Sequence, residues 1–223
     1  MGGFTNIGLL YKIKNRGVMM KNVIFTPWVG KNYSKFGYKK KKILILGESH
    51  YCHCCEENLG KKCWATKKKK CNEREYHINL FLNNINGKEE STPWFRTYKK
   101  FTNIFVNSNN IEDINNFWNS IIFYNYVQTR IERPRKKPTP EMFKNSVKPF
   151  FEILKEYKPG VIIVWGKRLW DKLPKECFSH GKNIFTKPSG FYKNIPTYYI
   201  NHPSSSFNTE FWSKYIKKVI SLI

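Results

Sequence analysis

The chain has 223 residues, 40% of them apolar and 17% aromatic, and carries 40 Lys and Arg against 16 Asp and Glu, a net charge of +24. This length suffices for one α/β domain with a real core, and this apolar content excludes a disordered chain. No apolar run approaches the roughly 20 residues that a membrane helix needs, and the only two aspartates, Asp113 and Asp171, leave little material for a paired-aspartate mechanism.

The opening MGGFTNIGLL lacks a basic start followed by a long apolar run, and Asn6 stands where a myristoylation signal needs Ser or Thr, so an intracellular protein is expected. ILIL at 43–46 is the first apolar run, and a Cys- and Lys-rich stretch at 52–75 follows it. STPWFRTYKKFTNIF at 91–105 predicts a helix with Ser91 as N-cap, Pro93 in the first turn and Phe95, Tyr98, Phe101, Ile104 and Phe105 on one side. IIFY at 121–124 is the second apolar run and leads into the basic loop QTRIERPRKKPTPE at 128–141. TPEMFKNSVKPFFEILKEY at 139–157 predicts a helix kinked at Pro149. VIIV at 161–164 is the third run, with Gly166 opening a helix over GKRLWDKL, and TYYI at 197–200 is the fourth. The helix TEFWSKYIKKVISLI at 209–223 starts at Thr209 and carries Phe211, Trp212, Tyr215, Ile216 and Val219 at helical spacing.

None of the four apolar runs alternates with polar residues, the mark of strands covered on both faces. Strands alternating with helices predict one domain over 1–223, a three-layer α/β/α sandwich around a central four-stranded parallel sheet, with 52–75 as a small Cys-rich insertion. Ligands of such sheets bind beyond the carboxyl ends of the strands. All four runs deliver polar residues there: Gly47, Glu48, Ser49, His50 and Tyr51; Asn125, Tyr126 and Gln128; Gly166, Lys167 and Arg168; Asn201, His202, Ser204, Ser205 and Ser206.

Glu48, His50 and His202 are the candidate acids and bases. Asn125 offers a donor and an acceptor for reading a base edge, although it also suits the turn that closes a strand. The charge points to a polyanionic partner, most simply DNA. Lys outnumbers Arg 33 to 7, as an AT-rich coding sequence would give, but such bias does not account for the scarcity of acids. Arg130, Arg133, Arg135, Lys136 and Lys137 would hold a phosphate backbone beside Asn125. Lys167 and Arg168, with the helix N-terminus that Gly166 opens, would hold another phosphate. A base-reading pocket with a basic rim is the layout of an enzyme acting on a flipped nucleotide.

GESHY after a strand, Asn125 ending FYN, and NHPSS near the C-terminus resemble the uracil-DNA glycosylase superfamily. Its first motif is typically Gly-Gln-Asp-Pro-Tyr-His, or Gly-Glu-Ala-Pro-Gly in other branches, and its last is His-Pro-Ser. The resemblance runs from about Lys42 to Asn208 and implies a four-stranded parallel sheet between helices. It implies that Gly47 and Glu48 match the start of the first motif and that Tyr51 shapes the pocket. It implies that Asn125 reads the base and that His202 stabilises the charge on the leaving base. Ser204 to Asn208 would enter the DNA groove, with Ser205 in contact and Phe207 as wedge. The sequence departs from the pattern at Ser49, which stands where many members have a water-activating Asp, and at His50, which replaces Pro. Ser49 is not a general base unaided, so Glu48 is the carboxylate left to position water or face the sugar cation.

Cys52, Cys54, Cys55, Cys63 and Cys71 fall within 20 residues, with Cys177 apart. In an intracellular protein that density argues for metal over disulfides. Cys54, Cys55, Cys63 and Cys71 are the expected ligands of a structural zinc, with Cys52, His53 or His77 as substitutes. The spacing C-x-C-C-x7-C-x7-C matches no common zinc pattern; no metal ranks second and an iron–sulfur cluster third. Three functions follow. The first is a monomeric DNA glycosylase releasing uracil or a modified pyrimidine, with no cofactor in the chemistry. The second is a non-catalytic nucleic-acid-binding protein on the same fold. The third is a hydrolase or transferase acting on free nucleotides.

Overall fold

The computed structural model describes residues 20–51, 73–85, 92–131, 136–174, 178–180, 189–192 and 194–222. In chain order the elements are β1 (Trp28–Val29), β2 (Ile43–Gly47), α1 (Glu73–Asn83), α2 (Pro93–Phe105), α3 (Ile111–Trp118) and β3 (Ile121–Asn125). Then come α4 (Pro140–Asn145), α5 (Val147–Tyr157), β4 (Val161–Trp165), α6 (Lys167–Lys172), β5 (Phe178–His180), β6 (Ser189–Tyr192), β7 (Ile195–Ile200) and α7 (Thr209–Leu222).

The strands form one sheet in the order β1-β3-β2-β4-β7-β6-β5. The four apolar runs all form strands, and β3, β2, β4 and β7 pair in parallel. The sheet as a whole is mixed and seven-stranded rather than parallel and four-stranded, because β1 joins β3 antiparallel and the β5–β6 ladder joins β7 antiparallel. Short antiparallel strands at both edges need no crossover helix, so they leave little trace in the hydrophobic pattern.

Successive side chains on a strand point to opposite faces, and here they enter two separate cores. Ile43 and Ile45, Ile121 and Phe123, Val161, Ile163 and Trp165 pack with residues of α1, α2, α3 and α7. Leu44 and Leu46, Ile122 and Tyr124, Ile162 and Val164 pack with residues of α4, α5 and α6. Helices therefore cover both faces, which is why the strands tolerate unbroken apolar sequence. The first core is heavily aromatic: Trp28 Nε1 donates to the Trp118 carbonyl at 2.8 Å and Trp118 Nε1 to Thr102 Oγ1 at 3.0 Å, while Trp165 Nε1 is buried without a hydrogen-bond partner among the described residues.

Several helices differ in detail from expectation. Helix α2 is capped at Thr92, with Pro93 in its first turn; the expected cap Ser91 lies outside the described residues. Its stripe of Phe95, Tyr98, Phe101, Ile104 and Phe105 is buried. The helix expected across 139–157 is two helices broken at Ser146. Pro149 therefore sits in the first turn of α5, where its missing N–H costs nothing, instead of kinking a continuous helix. Ser146 fills the break: its Oγ donates to the Met142 carbonyl at 2.7 Å and accepts the Gln128 N–H at 3.0 Å. On α7, Trp212, Tyr215, Ile216 and Val219 are buried, while Phe211 is exposed.

The strand order places a topological switch between β2 and β4. After β2 the chain moves to β3 on one side, and after β3 it crosses back to β4 on the other. The crevice beyond the carboxyl ends of β2 and β4 is the expected ligand position in an open sheet of this kind.

Candidate active site

The loop after β2 is built by the loop after β3. Gly47 pairs with Asn125 in register, and a Cβ on Gly47 would lie 2.2 Å from Asn125 Oδ1 and 3.0 Å from Phe123 Cζ. Only glycine fits. Beyond the strand the backbones stay joined: Tyr126 N donates to Gly47 O at 2.8 Å, Val127 N to Glu48 O at 2.9 Å, and Ile131 N to His50 O at 2.9 Å. Asn125 Nδ2 donates to Ser49 O at 2.6 Å. Gln128 Nε2 donates to Asn125 O at 3.0 Å, and its Oε1 accepts the N–H groups of Ile24 and Phe25 at 2.9 Å each. The buried His50 ring stacks on Phe25 with centroids 4.0 Å apart. Asn125, expected to read the base, and His50, expected as an acid or base, are thus placed as braces of the turn that carries Glu48 and Ser49.

Glu48 reaches across the switch point. Arg168 in the first turn of α6 donates from Nε to Glu48 Oε2 at 2.6 Å and from Nη2 to Oε1, a side-on pair. Arg168, expected to hold a DNA phosphate, instead takes this carboxylate, and that hydrogen bond pushes its guanidinium pKa above the ordinary value. Ser49 Oγ donates to Glu48 Oε1 at 3.3 Å. The half-buried Tyr51 adds a hydroxyl whose pKa is raised, chiefly by burial, while a hydrogen bond to Ser49 pulls it down. Glu48, Ser49, Tyr51 and Arg168 form one hydrogen-bonded group.

His202 stands beside this group at the end of β7. Gly166, at φ 89°, makes room for it: a Cβ there would come within 3.3 Å of His202 Cβ. His202 Nδ1 accepts the Ser204 N–H at 3.2 Å and lies 2.7 Å from Ser204 Oγ. A backbone N–H only donates, so Nδ1 is an acceptor and the neutral ring carries its proton on Nε2. Burial pushes the imidazole pKa below 6.5; Glu48 pulls it up and Arg168 pushes it down. The Trp165 ring meets His202 edge-on at 5.5 Å. Ser205 N and Oγ bond to His202 O at 2.9 and 2.7 Å and close the turn. Phe207, expected as a wedge, is half-buried and stacks on Trp212 of α7, with centroids 6.0 Å apart.

The expected basic rim is only partly brought to the site. Lys167 is exposed and pairs with Asp171 at 2.8 Å on its own helix. Arg130 forms a parallel bridge with His50, and Lys136 is exposed. Arg133 and Arg135 lie outside the described residues, as do Cys54, Cys55, Cys63 and Cys71. Of the substitute ligands, His77 meets Trp94 edge-on at 6.0 Å. Among the described residues no group of three His, Cys, Asp or Glu gathers at metal-binding distance. Sequence reasoning missed Phe25 and Trp165 as ring contacts and the Arg168–Glu48 pair. The pair alone had a signal, two charged strand-end residues on runs that prove adjacent. No family model matches the chain, and no curated protein matches it.

Proposed function

We propose that the protein is a DNA glycosylase that hydrolyses the N-glycosidic bond of uracil or a modified pyrimidine flipped out of DNA, leaving an abasic site. The observation that carries this reading is the state of His202 at the switch point. Its Nδ1 is committed to Ser204 and its ring is held neutral, so Nε2–H is the donor it offers. As the bond from C1′ to the base nitrogen breaks, the electron pair leaves with the base and negative charge grows on a base carbonyl oxygen. A neutral imidazole N–H stabilises that oxygen without having to lose a proton. The carboxylate of Glu48 faces the complementary charge, the oxocarbenium-like sugar, and water completes the reaction at C1′. Tyr51 supplies an aromatic face for the base, and the net charge of +24 suits a phosphate backbone. The fold behind this reading is the three-layer sandwich with a parallel central sheet that the motif resemblance to uracil-DNA glycosylases implies, and Cys54, Cys55, Cys63 and Cys71 are the proposed ligands of a structural zinc.

One observation favours a second reading, a non-catalytic DNA-binding protein on the same fold. Both oxygens of Glu48 are taken by Arg168, and Ser49 stands where an aspartate would activate water.

Base release decides between them. Single- and double-stranded DNA carrying uracil, hypoxanthine, or hydroxymethylated or glucosylated cytosine is incubated with wild type and with His202→Ala. Release of one base, reduced on the order of 10²- to 10³-fold in His202→Ala, is the expected outcome. Salt-sensitive DNA binding with no release from any of these substrates supports the second reading. Hydrolysis of free nucleotides with no DNA affinity sinks both.

A further inference from the structure

Within the glycosylase reading, we propose that Arg168 is a positioning residue: by gripping both oxygens of Glu48 it fixes the carboxylate at the switch point and offsets part of its field at His202, a ring that burial already favours as the neutral Nε2–H donor. Three observations converge on this. Arg168 and Glu48 are 120 residues apart in sequence, and their side-on geometry bonds each carboxylate oxygen separately. A guanidinium in this arrangement fixes the carboxylate plane as well as its place, which a lysine ammonium would not. Ser204 occupies Nδ1 of His202, so the one variable left on that ring is whether Nδ1 gains a proton.

Burial is the largest influence on His202 and disfavours its charged form; two charged groups then act on it in opposite senses, Glu48 from the loop after β2 favouring the cation and Arg168 from α6 opposing it. Trp165 of β4 and Ser204 of its own loop contact it without charge. A lone carboxylate beside an imidazole favours the imidazolium. An imidazolium here would lose the Ser204 N–H bond to Nδ1 and meet the base as a full cation. Arg168 reduces that tendency, in the same direction as burial, while its own charge stays within the pair.

The test needs no substrate. Protein labelled with ¹⁵N in its imidazoles is titrated by NMR, the five histidines giving separate signals and His202→Gln assigning one of them. Arg168→Met is expected to move the His202 midpoint upward and Glu48→Gln to move it downward. The double variant is expected to return it toward wild type. Removing one partner of a partly buried pair can destabilise a fold, so if Arg168→Met does not fold, Glu48→Gln and the double variant carry the test. Arg168→Lys, which keeps charge and loses the two-point grip, is expected to hold the midpoint and still lower kcat on the released base. An unmoved midpoint in folded Glu48→Gln overturns the proposal. The titration stands whether or not any base is released, so its failure and the failure of the glycosylase reading are told apart.

Discussion

The two loops that meet at the switch point are held in opposite ways. In the loop over residues 47–51 four backbone carbonyls and the Glu48 carboxylate are tied to distant parts of the chain. Gly47 O, Glu48 O and His50 O take N–H groups from residues 126–131, Ser49 O takes Asn125, and the Glu48 carboxylate takes Arg168. Glu48, Ser49 and His50 are 9%, 7% and 1% exposed. The loop over residues 201–207 is held mostly by itself. His202 O takes Ser205, His202 Nδ1 takes Ser204, and Asn201 Nδ2 donates to Ser206 O at 3.3 Å. Its three serines are exposed. A loop braced from outside contributes to stability as well as chemistry; a self-closed surface turn contributes mainly chemistry. Substitutions in the first loop should therefore lower folding stability, and those in the second should act mainly on activity, except at His202, whose burial also couples stability to pH.

The largest effect falls on Gly47. In Gly47→Ala the new methyl meets Asn125 Oδ1 at 2.2 Å, between strands packed on both sides. Overpacking of this kind costs about 1–3 kcal/mol, and denaturant unfolding should show it as a lower midpoint with an unchanged slope. Wild-type stability in this variant would mean that the β2–β3 register is looser than its hydrogen bonds imply, and the contrast between the loops would collapse.

Asn125→Ala comes next. It leaves the buried Ser49 carbonyl without its donor, at about 1–3 kcal/mol. Discrimination between bases should change less than stability does, because the amide is spent on the loop. The reverse pattern, intact stability with relaxed base choice, would return Asn125 to the base-reading role expected from sequence.

A smaller effect comes from pH. Burial holds the His202 pKa in the folded protein below 6.5, its value in an unfolded chain. Between those two values the unfolded chain binds the proton more readily, so stability rises with pH across that window. The penalty is absent above 6.5 and complete once the folded ring is itself protonated. Comparing wild type with His202→Gln by urea unfolding across this range isolates the term: the variant should lack that part of the slope. Base release by wild type should hold to a lower pH than an ordinary histidine would allow.

Much of this was legible in sequence, for a physical reason. Strands buried on both faces must be apolar throughout, so ILIL, IIFY, VIIV and TYYI announced themselves, and the polar residues after them marked the carboxyl edge. Strand order was not written there, because nothing local says on which side of β2 a crossover lands. Without the order, Glu48 and Arg168 look like unrelated charges, and Arg168 reads as a phosphate ligand. Asn125 shows the same limit: its place at a strand end was clear, but whether its amide faces a ligand or a backbone carbonyl depends on packing. Helix α3 was missed although a signal existed, since Asn110 Oδ1 accepts the Glu112 N–H at 2.8 Å and Glu112 and Asp113 favour the first turn. Strands β1, β5 and β6 run two to four residues each, too short for a period to show.

The smallest expected effect sharpens the comparison most. Ser204→Ala removes the hydroxyl 2.7 Å from His202 Nδ1 but keeps the backbone N–H that donates to the same atom at 3.2 Å. Ser204 is exposed, so folding stability should change by no more than about 0.5 kcal/mol. If the amide fixes the tautomer, base release should fall only a few-fold, because Nδ1 still accepts and Nε2 still carries the proton. A loss as large as that of His202→Ala would mean that the hydroxyl does the orienting. The exposed turn would then depend on its side chains as the buried loop does, and the difference between the two would be one of burial alone. Base-release rates of Ser204→Ala and Ser204→Gly beside unfolding midpoints separate these cases, since the glycine variant also loosens the backbone that presents the amide.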